Sequence, residues 1–101
     1  MREPAEAGGL VGPHLQAFFA EHLLTHKRAS PQTIASYRDT FRLLLRFIQR
    51  KTGTEPSALP LAALDAYAVL AFLDHLERDR GCSVRSRNNR LAAIRSLFRV
   101  V

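Results

Sequence analysis

The strongest constraint on this fold is one long helix-forming stretch in the first half of the chain. Ser30 suits the N-cap, Pro31 suits the first helical position, and the helix is expected to run to about Lys51 before Gly53 stops it. On a wheel of about 100° per residue, its apolar side chains cover roughly 200°. So wide an arc packs against neighbours on two sides, so we predict a central helix with more buried residues than any other. The arc comprises Ile34, Tyr37, Phe41, Leu43, Leu44, Leu45, Phe47 and Ile48.

Three further helices are predicted from apolar residues at helical spacing, and no stretch shows the sustained alternation of a half-buried strand. The first is expected over 13–26, with a proline at its first position. The third is expected over 65–80 with Asp65 as N-cap, and the fourth over 83–101 with Ser83 as N-cap. We therefore predict an all-α fold, a small four-helix bundle. The side chains expected to be buried are Leu15, Phe18, Phe19, His22 and Leu23 in the first helix and Val84, Leu91, Ile94, Leu97 and Phe98 in the fourth.

Length and composition limit the chain to one small globular domain. It has 101 residues, of which 47% are hydrophobic and 24% are charged. Residues 1–13 hold three glycines and two prolines, so we expect a flexible N-terminal segment followed by one folded domain over 14–101. The single cysteine, Cys82, excludes an internal disulfide. Because there is neither an apolar run of about 18 residues nor a secretion signal, we expect a cytoplasmic protein without membrane contact.

Positive charge is concentrated in two of the predicted helices. The formal net charge is +6; residues 27–51 carry seven basic side chains against one acidic, and residues 80–101 carry six basic and none acidic. The remaining segments, 1–26 and 52–79, are both net acidic. Surface charges that serve solubility alone usually intermix, so this separation favours an extended polyanion such as nucleic acid as the partner.

Four arginines on one side of the second helix form the first candidate DNA-binding surface, which we call the arginine flank. They repeat every four residues, and only Asp39 among them offsets their charge. Like charges at this spacing cost an isolated helix about 0.2–0.5 kcal/mol per pair, so their placement favours a binding role, contact with DNA phosphates. The alternative is a solvated face whose arginine stems cover apolar surface. The arginine flank consists of Arg38, Arg42, Arg46 and Arg50.

The start of the fourth helix forms the second candidate surface, which we call the Arg/Asn segment. Its first two turns contain arginines and asparagines without an acidic residue. Arg and Asn make bidentate hydrogen bonds to guanine and adenine, and the small, outward-facing Ala92 and Ser96 would let the helix lie deep in the major groove. The alternative is ordinary polar surface near a helix N-terminus. The Arg/Asn segment consists of Arg85, Arg87, Asn88, Asn89 and Arg90.

Patterns for catalysis or metal binding are weak. His22 and His26 lie one helical turn apart, but no third ligand is evident. His22 also falls in the apolar stripe, where a hydrogen-bonded core histidine is the commoner role. No Gly-rich phosphate loop, nucleophile elbow or pair of carboxylates indicates a reaction. We predict no catalytic residue, no metal site and no cofactor in this chain.

Two blocks of sequence have a recognisable order. The first block, at 30–41, is S-P-Q-T-I-A-S-Y-R-D-T-F, in which Thr33 precedes Tyr37 by four residues. The second block, at 83–98, is S-V-R-S-R-N-N-R-L-A-A-I-R-S-L-F. Together with L-D-A-Y-A-V-L-A-F-L-D-H-L at 64–76, they resemble the N-terminal core-binding domain of tyrosine recombinases, the phage-integrase family, over roughly 15–101. Ser86 stands where that family usually has Thr. The matching residues of the last helix are Arg90, Leu91, Ile94, Arg95 and Phe98.

The resemblance implies a SAM-like orthogonal bundle that holds duplex DNA. By resemblance, the intact recombinase clamps DNA between this domain and a catalytic domain, cuts through a phosphotyrosine intermediate and needs no metal or nucleotide. The catalytic Arg, Lys, His and Tyr lie in the following domain, so neither Tyr37 nor Tyr67 is expected to be the nucleophile. Other recombinase protomers are the second implied partner, with the first helix contributing to contacts between protomers on DNA. An isolated fragment is expected to be monomeric.

The predicted function is that of a DNA-binding N-terminal domain of a site-specific tyrosine recombinase or integrase. One alternative is a helical protein-interaction module whose basic faces meet an acidic partner; salt-dependent binding to random duplex DNA distinguishes the two. A compact helix-turn-helix regulator is disfavoured because that motif joins its helices by a turn of about 3–4 residues. Here a whole helix separates the two basic ones.

Overall fold

This computed structural model describes residues 9–100, which contain four helices and two short 3₁₀ turns joined by loops. Within that range the only strand-like feature is an isolated bridge between Leu10 and Pro60, so the all-α fold class is confirmed. In chain order, the elements are α1 (Val11–Ala17), which continues without a break into a π-helical segment (Phe18–His26), α2 (Pro31–Thr52), the turns Pro56–Ala58 and Leu61–Ala63, α3 (Ala66–Arg78) and α4 (Val84–Val100).

Helix α2 begins and ends at the residues that its sequence indicates. The Ser30 Oγ accepts a hydrogen bond from the Thr33 amide at 3.1 Å, and Gly53 ends the helix in a left-handed conformation with φ 78°. Glycine adopts that φ without the steric cost of a Cβ. Five residues of α2 are buried, against four in α4 and three in α3, so its central position is confirmed. The five are Thr40, Phe41, Leu44, Phe47 and Ile48.

The π-helical segment differs from the sequence-based expectation, which is one continuous α-helix over 13–26. The i→i+5 hydrogen-bond register of a π-helix places Phe18 and Leu23, which are five residues apart, on the same side. Both are only 1% exposed. The Phe18 ring packs edge-on against Phe41 of α2, with ring centroids 6.0 Å apart. The segment therefore contributes its two largest buried side chains to the core.

Residues 9–13, which the sequence analysis assigns to a flexible N-terminal segment, make contacts with the rest of the domain. Backbone hydrogen bonds of 2.9 and 2.8 Å join Val11 and Gly9 to the loop between α2 and α3, and Val11 is fully buried. Helix α1 begins at Val11, so Pro13 is its third residue and not its first. Composition alone misses this because one buried valine anchors a segment that is otherwise rich in Gly and Pro. Residues 1–8 lie outside the described residues.

Helices α3 and α4 begin at their predicted caps. The side chains of Asp65 and Ser83 each accept a hydrogen bond from the amide three residues later, at 2.9 and 3.1 Å. Helix α3 ends at Arg78, two residues earlier than predicted, and Gly81 then turns the chain with φ 64°. Val101, the predicted last residue of the fourth helix, lies outside the described residues.

The inward face of α4 agrees with the predicted one at Ile94 and Leu97, which are both buried, and differs from it at three other residues. Val84 and Phe98, both predicted to be buried, are 65% and 39% exposed, whereas Ser96, predicted to face outward, is 6% exposed. The buried stripe follows Leu97, and Arg90 lies seven residues away on the same side of the helix. An apolar pattern does not indicate that Arg90 and Ser96 belong to this face, because both residues are polar.

Candidate nucleic-acid interface

The arginine flank lies along the exposed side of α2. Its four side chains span about 18 Å of the helix axis at 1.5 Å per residue. The Arg38 guanidinium lies 6.0 Å from the centre of an aromatic ring of the π-helical segment, and Arg42 pairs with Asp39 at 3.1 Å. Within residues 9–100, the side chains of Arg46 and Arg50 make neither an ion pair nor a hydrogen bond. Their donors are therefore available to a partner.

Asp39 joins α2 to α4. Its two carboxylate oxygens lie 3.1 Å from Arg42 and 3.0 Å from Arg90. Arg90 also donates to the buried Thr40 Oγ1 at 3.0 Å, and the Thr40 hydroxyl donates to the Ser36 carbonyl at 3.0 Å. The hydrogen bond from Arg42 lowers the pKa of the Asp39 carboxyl, and Arg90 lowers it further while partial burial opposes the shift. An ionised Asp39 thus fixes the start of α4 against α2.

Two members of the Arg/Asn segment, Arg87 and Arg90, use their guanidinium groups inside the domain. Arg90 makes the contacts just described, and its side chain is 21% exposed. Arg87 pairs with Glu77 of α3 at 2.7 Å and donates to the Asn88 Oδ1 at 3.1 Å. These contacts hold α4 against α2 and α3. The position of Arg90 relative to Leu97 is the signal that could have indicated this role.

Arg85, Asn88 and Asn89 are exposed in the first two turns of α4. Within the described range, Arg85 and Asn89 make no ion pair or side-chain hydrogen bond. The amino end of α4 also carries the positive end of the helix dipole, which favours an anionic partner. Because Asp39 contacts both Arg42 and Arg90, the arginine flank and the start of α4 adjoin.

Arg80 is a basic residue that the sequence analysis does not single out. It lines a small pocket between α2 and the end of α3, together with Arg46 and Arg50 of the arginine flank. The only sequence signal is its membership of the basic segment 80–101. Its position depends on where α3 ends and how α3 packs on α2, and no local pattern encodes either.

The histidines considered as metal ligands are placed differently from each other. His22 is half-buried, and its ring stacks on Phe18 with centroids 5.4 Å apart. The side chain of His26 lies outside the described residues. Among the residues that are described, no group of three or more His, Cys, Asp and Glu could hold a metal ion.

Within the same part of the chain, no helix is long and apolar enough to cross a membrane.

Comparison with known proteins finds similarity to two curated relatives, both from Sinorhizobium fredii (strain NBRC 101917 / NGR234). "Putative integrase/recombinase y4rC" is 52% identical over 89 residues, and "Putative integrase/recombinase y4rD" is 45% identical over 89 residues. The matched region covers 88% of this chain but only 27% and 32% of the two relatives. The chain therefore spans about a third or less of their length. No solved structure matches the chain at a significant level.

A family model covers almost the whole helical domain. The model is described as "Phage integrase, N-terminal SAM-like domain", and it matches residues 16–101. That range extends from α1 to the end of the chain and includes both basic surfaces. The chain belongs to the phage integrase N-terminal SAM-like domain family.

Proposed function

We propose that this chain is the DNA-binding N-terminal domain of a site-specific tyrosine recombinase or integrase. The observation that carries the proposal is the junction at Asp39, where two basic surfaces adjoin and their outer side chains keep free donors. A row of guanidinium groups beside a helix start rich in Arg and Asn suits a duplex, which presents phosphates along its backbone and base edges in its groove. Family membership and the names of the two relatives support the same function.

The two surfaces divide the work in this proposal. The arginine flank holds phosphates, and Arg85, Asn88 and Asn89 contact base edges in the major groove. Arg42 retains donors for a phosphate while it pairs with Asp39, since a guanidinium has five N–H groups. Arg87 and Arg90 contribute by positioning the α4 start.

The domain supplies grip and part of the site recognition, and the chemistry belongs to the rest of the parent protein. Both relatives are named integrase/recombinase, and the matched region is 27% and 32% of their length. In the proposed parent enzyme, a following domain carries the catalytic Arg, Lys, His and nucleophilic Tyr. That enzyme acts on DNA in the cytoplasm and needs no metal or nucleotide.

Binding to random-sequence duplex DNA at several salt concentrations tests the proposed function. We expect the logarithm of the affinity to fall linearly with the logarithm of the salt concentration, with a slope of about −0.9 for each phosphate neutralised. As a control, Arg28→Gln removes an exposed charge outside both surfaces and should change the slope by less than one unit. Binding to acidic proteins without measurable binding to duplex DNA would favour a protein-interaction module instead.

A second proposed contact joins α1 and the π-helical segment to neighbouring protomers on DNA. Val11, Phe18 and Leu23 of this region are core residues, so deleting the region would unfold the domain. Leu24 lies on the same segment and is 57% exposed. We expect Leu24→Glu to weaken assembly of the full recombinase on DNA with adjacent sites, because a charge placed in an interface must be desolvated.

The matched control for this prediction is Leu70→Glu on α3, where the leucine is 63% exposed. Binding to a single site should be unchanged for both variants, and only Leu24→Glu should reduce the yield of multi-protomer complexes in gel-shift or light-scattering measurements. Equal assembly by the Leu24 variant and the unsubstituted enzyme would exclude this face from the protomer contact.

A further inference from the structure

A small pocket between α2 and the end of α3 brings Arg80, which has no role in the proposed DNA contacts, beside two residues of the arginine flank. Its volume is about 60 Å³, which is room for a few water molecules or one small anion. Arg46 and Arg50 of α2 line one side, and Arg80, which follows α3, lines the other. The lining also includes the fully buried ring of Phe72 and the buried Leu76. Three arginines and several apolar side chains thus line one partly enclosed space.

None of the three arginines around this pocket is paired with a carboxylate in the part of the chain that the structure describes. Within the same range, no carboxylate lines the pocket itself. The nearest acidic neighbour in sequence, Asp79, is bonded at 2.8 Å to the Nδ1 of His75, and His75 also lines the pocket. By contrast, four other arginines of the domain each pair with a carboxylate at 2.7–3.1 Å: Arg42, Arg78, Arg87 and Arg90.

Such an arrangement is costly without a ligand and favourable with one. Like charges at the spacing of Arg46 and Arg50 destabilise a helix, and Arg80 adds a third charge from another element. Coulomb attraction between arginine and an anion is stronger beside the apolar side chains of Phe72 and Leu76 than in open water, because the effective dielectric constant is lower there. Guanidinium groups also match the geometry of phosphate oxygens, which they can bind in pairs of parallel hydrogen bonds.

We propose that this arginine pocket is a binding site for a single phosphate group, held jointly by Arg46, Arg50 and Arg80. That this phosphate belongs to the DNA backbone rests on the proposed function. The affinity of the pocket for phosphate itself does not depend on that function. If the arginines of α2 acted independently, each would bind its own phosphate. In the arginine pocket, two residues of the arginine flank and Arg80 bind the same phosphate.

Titration of the isotopically labelled chain with inorganic phosphate tests the pocket directly. The ionic strength is kept constant with sodium chloride, and the shifts of the amide and guanidinium resonances are followed by NMR. We expect saturable shifts at Arg46, Arg50 and Arg80, and an affinity lower by about tenfold in Arg80→Gln, the loss that follows from one charged hydrogen bond. Arg78→Gln is the matched control, because Arg78 is two residues away, pairs with Asp74 and does not line the pocket.

Two results would overturn the phosphate site. One is the absence of saturable shifts in the unsubstituted chain, and the other is an equal loss of affinity in the Arg78 and Arg80 variants. The latter would mean that phosphate responds only to the overall charge. Because free phosphate is the probe, either result counts against the pocket whether or not the chain binds DNA.

Duplex DNA is the second arm of the test, with Arg46→Gln, Arg80→Gln and the double variant. If both arginines hold one phosphate, the losses of the two single variants are not additive in the double variant, because the two side chains share a partner. The salt slope of the double variant then falls by no more than about 0.9, the value for one phosphate. Additive losses with a slope change near two units would show separate phosphates and overturn the shared site. Phosphate binding without any DNA binding would leave the pocket standing and remove the proposed function.

Discussion

Replacing Arg90 with methionine is expected to lower the free energy of unfolding by about 1.5–3 kcal/mol, the usual contribution of hydrogen bonds to charged groups. Arg90 contacts the Asp39 carboxylate and the Thr40 hydroxyl at 3.0 Å each, and Thr40 is only 1% exposed. The substitution removes both contacts and leaves a buried oxygen with one fewer partner. Methionine keeps much of the apolar stem, so the loss reports mainly on the polar head.

The control is Arg85→Met in the same helix. Arg85 is exposed and has no ion pair within the described residues, so its replacement should change the unfolding free energy by no more than about 0.5 kcal/mol. Urea unfolding followed by circular dichroism measures both variants. A loss in the Arg90 variant as small as that of Arg85→Met would mean that the contact between α2 and α4 contributes little to stability.

The contacts of Asp39 also predict how the stability of the fold depends on pH. Arg42 and Arg90 lower the pKa of Asp39 in the folded chain, so folding favours its ionised form. This contribution to stability is present above the ordinary aspartate pKa of about 3.9 and is lost as pH falls through the lower, folded value. Asp39→Asn should therefore be less stable than the unsubstituted chain at neutral pH, and the difference should narrow in acid.

Local sequence signals predicted the helices well because caps and stops act over a few residues. Ser30, Asp65 and Ser83 each bond to an amide three positions ahead, and Gly53 supplies the left-handed turn that ends α2. The π-helical segment escaped prediction because helical spacing of apolar residues does not specify which carbonyl each amide will reach. The ordered backbone of Gly9 and Val11 depends on hydrogen bonds to a loop about fifty residues later, which local signals do not reveal.

The candidate site was predicted only where it depends on helix faces. The exposure of the arginine flank followed directly from the wheel of α2. The helical wheel of α4 places Arg90 on the side of Leu97, but it does not identify the partner of Arg90, because Thr40 lies on α2, fifty residues away in sequence. The position of Arg80 in the arginine pocket is likewise not encoded locally, because Arg46 and Arg50 belong to another helix. Pairing between elements therefore decides which basic residues remain available to a ligand.

The division of work between the two surfaces leads to the second large effect, a loss of discrimination between DNA sequences. Arg38 of the flank and Arg85 at the α4 start are both exposed arginines, so Arg38→Gln and Arg85→Gln remove the same chemical group from the two surfaces. Arg38→Gln should weaken binding to every duplex alike and reduce the salt slope by about one unit, because a phosphate contact carries no sequence information. Arg85→Gln should cost about 1–3 kcal/mol on the cognate site and much less on random DNA.

Titrations of the two variants against a cognate site and a scrambled duplex at two salt concentrations measure both quantities, with the cognate site obtained by selection from random duplexes. Asn89→Ala extends the comparison, since Asn89 also has a free side chain in the first two turns of α4. Because Arg87 and Arg90 hold this part of the helix in place, a loss confined to the cognate duplex would identify contacts with base edges and not a displaced helix. If Arg85→Gln instead weakens both duplexes equally, the α4 start holds phosphates as α2 does, and the reading of bases must come from outside this domain.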